Sequence, residues 1–324
     1  MFNRDRRNST SSSLYCLKPV SASNVQQSQI WHGQASALYS LGRYAAALDK
    51  FDRLLDADNR DVAAWIYRGY ALCELKQYDD ALGSFDAAVR LAPKESLAWH
   101  GRGIVYAKQH RYDEAVSNLD RAVQLNPDDV KAWYNRGNAL IRLNRHQEAL
   151  DNFDTLLDKQ PESYRAWYNR AIALAALRRY ADALSSLDTA VSIKRNCYYA
   201  WTYRGLMLNK LRRFSEALDS FERSLRYRTP NPNAWYGKAA TLALQGEAEA
   251  AAEVLSQAIA THPEVWVMAQ TDPSFSTVIT TPAFRSLAAA TTSTLSAPTG
   301  LVENSLEWQE RSALEDGPNS ASDF

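Results

Sequence analysis

Cysteine is scarce: Cys16, Cys73 and Cys197 are the only three in 324 residues. They are too few and too scattered for a disulfide framework or a zinc site. No window approaches eighteen consecutive apolar residues, which excludes a spanning helix. Neither charge sign prevails, since 37 Lys and Arg balance 37 Asp and Glu. A general binder of nucleic acid or of anionic membranes carries an excess of bases, so both classes are disfavoured for the whole chain. The five histidines, His32, His100, His110, His146 and His262, are dispersed, and neither a Gly-rich phosphate loop nor a nucleophile with its base is found. No catalytic residue, metal ligand set or cofactor is therefore expected, and the chain reads as a non-enzyme. Arg4, Arg6 and Arg7 lack the apolar core of a secretory signal, and Cys16 lacks the apolar run of a lipoprotein signal. A reduced, cytoplasmic protein is the expectation, and 46% apolar residues suffice for a folded core.

What is present is a period. Trp31, Trp65, Trp99, Trp133, Trp167, Trp201 and Trp235 are each 34 residues apart. Four residues after each stands Ala or Gly: Ala35, Gly69, Gly103, Gly137, Ala171, Gly205 and Ala239. Sixteen after each stands alanine, and twenty after each stands Phe or Leu, from Phe51 to Leu255. This is an internal repeat. Within a unit the apolar spacing is helical, in two stripes separated by a short polar segment such as residues 108–111. Each unit is thus two antiparallel helices, A then B, in which the small residue marks a close approach and the Trp and Phe or Leu fill the space between pairs. No unit can bury both stripes alone, so the units must stack.

The run Trp65…Gly69…Leu72…Tyr78…Ala81…Phe85…Ala88…Pro93 resembles the tetratricopeptide repeat. The resemblance covers seven units, 28–61, 62–95, 96–129, 130–163, 164–197, 198–231 and 232–265. It implies an all-α, right-handed superhelical solenoid whose A helices line a concave groove that receives a peptide or partner protein. By the same resemblance, the groove is formed by Tyr70, Lys108, Lys131, Tyr134, Asn138, Arg142, Arg165, Tyr168, Tyr199, Asn209 and Lys210, with Tyr236 alongside. Five of these are bases, against Glu74 as the one acid at such positions. That bias points to an acidic, partly extended peptide, and to a scaffold or adaptor. A structural or assembly subunit using its convex face or ends, and a binder of single-stranded nucleic acid, are the alternatives. The two-carboxylate clamp of chaperone-binding relatives is matched at Asn138 and Asn169 but not at Tyr134, Tyr199 and Tyr203.

Arginine stands three after Trp in five consecutive units, at Arg68, Arg102, Arg136, Arg170 and Arg204. An acid occupies the matching helix B position of each, at Asp86, Asp120, Asp154, Asp188 and Glu222. Antiparallel pairing predicts a ladder of Arg–carboxylate pairs, which removes these residues from the groove. Prolines close several units (Pro93, Pro127, Pro161, Pro263), whereas Arg195 and Thr229 stand at the same phase in the fifth and sixth, which suggests looser joints there.

Residues 1–27 are Ser-rich and read as disordered. After Pro263 the period fails, and 266–292, with Phe275, Val278, Ile279, Phe284 and Leu287, reads as a cap over the last exposed stripe. Residues 293–324 carry six acids against Arg311, an acidic mobile tail able to contact the basic groove of the same chain.

Overall fold

The computed structural model describes residues 22–292, and every regular element among them is helical. The expectations for the first 21 residues and for the tail 293–324 lie outside the described residues. Two units are resolved, divided at Pro93.

The first unit holds two hairpins, α1 (Ala22–Ser40) with α2 (Tyr44–Ala57), and α3 (Val62–Glu74) with α4 (Tyr78–Leu91). Helix α1 starts at Ala22, inside the segment 1–27 read from its serines as unstructured. The second unit holds five hairpins: α5 (Ser96–Lys108) with α6 (Tyr112–Leu125), α7 (Val130–Arg142) with α8 (His146–Lys159), α9 (Tyr164–Ala176) with α10 (Tyr180–Ile193), α11 (Tyr198–Lys210) with α12 (Phe214–Tyr227), and α13 (Pro232–Gln245) with α14 (Ala248–Thr261). A short α15 (Val265–Thr271), one 3-10 turn (Pro273–Phe275) and α16 (Pro282–Thr292) follow. Their Phe275, Val278 and Phe284 are buried in one cluster with Tyr236, Leu255 and Trp266.

The sequence rule of one small residue after each Trp has a specific physical cause. A Cβ on Gly137 would lie 2.5 Å from the Phe153 ring, and one on Gly205 2.6 Å from Phe221. The space is taken by a side chain from helix B of the same hairpin, a Phe ring here and Leu119 at Gly103, where the Ala115 carbonyl of the facing backbone also lies within 3.3 Å of the added carbon. Phe221 also meets Gly237 of the next hairpin, where a Cβ would be 2.5 Å away. One ring thereby locks α11, α12 and α13 together, which is why Phe221 is fully buried.

The tryptophans are corrected in one respect. Trp201 is buried, but Trp31, Trp65, Trp99, Trp133, Trp167 and Trp235 are half-buried at the edge of the core. The indole N–H finds a partner at this edge. It donates to a backbone carbonyl six residues upstream, as in Trp133 to Pro127 (2.8 Å), Trp167 to Pro161 (2.7 Å) and Trp201 to Arg195 (2.7 Å). Each ring thus ties helix A to the turn before it, at the surface where that turn runs.

The turn inside each hairpin always places one residue in the left-handed region: Gly42, Lys76, His110, Asn144, Arg178, Arg212 and Gly246. Its neighbours close the helix end, as when the Arg179 N–H donates to Leu174 O at 2.9 Å. Five of these residues carry a Cβ, at a cost of about 1–2 kcal/mol each that glycine would avoid.

The joints at Arg195 and Thr229 each carry a fastening of their own. The backbone of the first closes like its neighbours, with Lys194 N–H on Ala190 O and Cys197 N–H on Lys194 O. A cation replaces the missing proline as the fastening. Lys194, at the end of α10, lies 4.5 Å from the Tyr164 ring centre and donates to its hydroxyl at 3.0 Å. Arg228, at the end of α12, repeats this on Tyr198, 4.6 Å from the ring centre and bonded to its hydroxyl.

Candidate functional site

The arginine ladder forms, but in a different register from the one expected. Arg136 pairs with Asp120 (2.5 Å), Arg170 with Asp154 (2.6 Å) and Arg204 with Asp188 (2.7 Å), always the acid of the preceding hairpin. In the first unit Arg68 does the same with Asp52, at 2.7 Å. The pairing with the acid of the same unit is therefore wrong. Within its own hairpin each guanidinium instead donates to a small polar residue of helix B: Arg68 to Ser84 (2.7 Å), Arg136 to Asn152 (3.0 Å), Arg170 to Ser186 (2.8 Å) and Arg204 to Ser220 (2.6 Å). All four acceptors are buried. Each guanidinium also covers the indole three residues before it, at 5.6 Å for Arg170 over Trp167. One planar group, with fixed donors, thus joins two hairpins and shields a third partner. Lys238, which interrupts the arginines, keeps the register with Glu222 at 3.1 Å.

With these residues assigned to structure, the A helices of the second unit present the remaining polar groups. Lys131 and Arg165 are the second residues of α7 and α9, and Arg142 and Lys210 are the last residues of α7 and α11, as Lys108 is of α5. Lys131 and Lys210 are exposed, while Lys108, Arg142 and Arg165 are half-buried. The cations therefore gather at the two ends of the A helices.

Between those ends runs a chain of amides and phenols. Asn169 donates to Asn138 Oδ1 at 2.7 Å and to the Tyr134 hydroxyl at 3.2 Å. Tyr168 packs edge-on against Tyr199 (4.8 Å between ring centres) and Tyr203 (5.9 Å). Asn209 and Thr241 bond to each other at 2.9 and 3.0 Å. Two groove expectations are corrected here: Tyr168 is fully buried and Asn138 is buried, because each is enclosed by the next A helix. Tyr134, Tyr199 and Asn209 stay partly accessible. Tyr236 is buried and donates to Asp272 of the terminal segment at 2.8 Å, which removes it from the face. Tyr70 belongs to the first unit, where it lies half-buried and edge-on to Phe85.

Electrostatics mark one corner of this face. Burial alone would raise the Tyr164 phenol, but hydrogen bonds from Lys194 and Arg165 hold it below its ordinary range. Burial pushes the neighbouring Tyr199 phenol and Cys197 thiol upward, so neither ionises near neutrality. Sequence reasoning missed Tyr164 and Asn169 as members of this network. Asn169 was legible only as a partial match to the chaperone clamp; Tyr164 had no signal beyond its place beside Arg165.

His100 and Asp129 form a second polar cluster, at a seam between hairpins. His100, almost fully buried, lies 3.1 Å from the Asp129 carboxylate and 3.0 Å from the Asn135 amide nitrogen. Asp129 caps α7 by accepting from the N–H groups of Lys131 (3.0 Å) and Ala132 (3.1 Å). Burial works to raise the Asp129 carboxyl, yet the bonds from His100 and the two N–H groups hold it below the usual aspartate value. This cluster lies among residues that hold hairpins together. Among the described residues no three His, Cys, Asp or Glu gather as a metal site, and no helix is long and apolar enough to cross a membrane.

The tetratricopeptide repeat family model matches residues 32–96, 100–153, 142–197 and 204–265. Among solved structures, a tetratricopeptide repeat protein from Parabacteroides merdae ATCC 43184 is similar, with a TM-score of 0.57 at 17% identity over 82% of this chain and 99% of that one. YrrB, described as a TPR protein with an unusual peptide-binding site, gives 0.52 at 19% identity over 58% of this chain and 97% of its own. No curated protein matches the chain.

Proposed function

The chain belongs to the tetratricopeptide repeat family, whose members serve generally as non-catalytic protein–protein interaction scaffolds, and we propose that it is an adaptor whose A-helix face in the second unit binds an acidic protein segment. The observation that carries this reading is the distribution of charge on that face. Lys131 and Arg165 stand at one end of the A helices and Arg142 and Lys210 at the other, with no acid among the face residues of these helices. The partly accessible Tyr134 and Tyr199 lie between them and supply contact area at small entropy cost. A surface built on packed helices is preorganised, so binding orders few groups. Its peptide-binding relative YrrB is consistent with the same use of the fold.

Affinity purification tests the reading. Partners recovered on the wild-type chain should be lost from Lys131→Glu/Arg165→Glu while the circular dichroism spectrum is kept. A partner retained at full yield by that variant would refute the assignment of this face.

A further inference from the structure

The turns inside the four hairpins from α5 to α12 adjoin one end of the A-helix face just discussed, sharing Lys108, Arg142 and Lys210 with it, and lie at the opposite end of the A helices from Lys131 and Arg165. Residues 108–111, 142–145, 176–179 and 210–213 contain nine Lys and Arg and no Asp or Glu. Four of these arginines are answered locally, each by a carboxylate three residues on, as in Arg145 with Glu148 and Arg213 with Glu216, both at 2.7 Å. Arg142, Arg178, Lys210 and Arg212 make no ion pair with a described residue.

Backbone conformation adds an independent observation. Arg178 and Arg212 occupy the left-handed position, with φ of 58° and 60°, which the first and last hairpins give to Gly42 and Gly246. The strained position thus holds an exposed guanidinium where glycine would fit better. The aromatic groups beneath, Tyr112, Tyr180 and Phe214, are half-buried, so the turns offer no open stacking platform of the kind single-stranded nucleic acid uses. Leu143, Leu177 and Leu211 are half-buried as well, which leaves little apolar surface for a membrane. Arg145 and Arg213 already show what suits this edge: each grips both oxygens of a carboxylate.

A carboxylate-rich segment lies in the same chain. Residues 303–323 carry Glu303, Glu307, Glu310, Glu315, Asp316 and Asp323 against Arg311. They follow α16, which packs on α14, one hairpin from the turn holding Arg212. At roughly 3.3 Å per residue, the ten residues from 293 span about 33 Å, enough to reach an adjacent hairpin. We propose that the turns of α5 to α12 form a cationic ridge that binds the acidic segment 303–323 of this chain. The ridge shares Lys108, Arg142 and Lys210 with the proposed partner face but requires neither Lys131 nor Arg165, so the two readings can fail separately.

Zero-length carbodiimide coupling of the full chain, at dilute concentration and with mass-spectrometric mapping, tests it. The expected products join Lys210 to Glu or Asp within 303–323 in the same molecule. Their yield should fall at least fivefold in 0.5 M salt and in Arg178→Glu/Arg212→Glu, and stay unchanged in Lys131→Glu/Arg165→Glu. Both variants are accepted only with the wild-type circular dichroism spectrum. Arg178→Gly/Arg212→Gly, which relieves the backbone while removing charge, should lose the products too and so guards against misfolding of the reversal variant. Absence of these products in the wild type, their transfer to Lys131, their loss in the Lys131/Arg165 variant alone, or their formation only between molecules would each overturn the proposal.

Discussion

Each hairpin has a seam, where it meets its neighbour, and a tip, where its own two helices turn. The seams are tied several times over. In the second unit a seam carries an indole N–H bond to the turn before it and an Arg–carboxylate pair, and where α12 meets α13 the Phe221 ring is also seated on Gly237. The tips carry one strained residue, a few backbone bonds and exposed cations. Cohesion is concentrated at the seams, and the tips are left to display charge. A solenoid whose units are stable only through their neighbours needs this division.

Substitutions can break the contrast, starting at the seams. Phe221→Ala removes the ring that holds α11, α12 and α13, and should cost about 3–5 kcal/mol, read as a lower urea midpoint. Arg170→Met should cost about 1–2 kcal/mol by leaving Ser186 and Asp154 without their donor. A double-mutant cycle sharpens this: Arg170 should couple to Asp154 and show no coupling to Asp188, and the reverse result would restore the register first expected.

Asp129→Ala, at a seam cap, should cost about 1 kcal/mol at neutral pH. Because folding lowers this carboxyl's pKa, its contribution is complete above the ordinary aspartate range, near pH 4, and fades as pH falls through the lower folded value. Wild type and variant should therefore converge in acid-unfolding measurements below that range. The smallest effect belongs to the tips, and its sign is opposite. Arg178→Gly should raise the thermal midpoint, with a gain of about 0.5–1 kcal/mol once glycine's own entropy cost is subtracted.

The tandem hairpins were legible because the need to seat a ring every 34 residues leaves a mark in the sequence, Gly137 below Phe153 and Gly205 below Phe221. The ladder's members were legible too, yet its register was not. Arg170 lies sixteen residues after Asp154 and eighteen before Asp188, and linear spacing cannot say which one faces it. One clue did exist. The first described hairpin has Gln34 in place of arginine, so its Asp52 gives to a successor without the hairpin taking an acid, and α14 has Ser256 in place of the acid. Burial on the A-helix face was the least legible part. Tyr168 shares its phase with the half-buried Tyr134, and Asn138 with the half-buried Tyr70, yet the neighbouring α11 and α9 enclose the first of each pair. The fastening at the Arg195 joint was not legible for a related reason, since the Lys194–Tyr164 contact joins positions thirty residues apart.

The backward-reaching arginine has a consequence for how such a chain can change length. Each hairpin from α7 to α12 offers an acid to its successor and takes one from its predecessor, as Arg136 takes Asp120 while Asp154 goes to Arg170. Excising one 34-residue period from the middle brings together an acid and a guanidinium that were never partners but are chemically the same. The copy number can then drift by whole units while every charge keeps a mate, whereas a deletion of any other length would strand one at the splice.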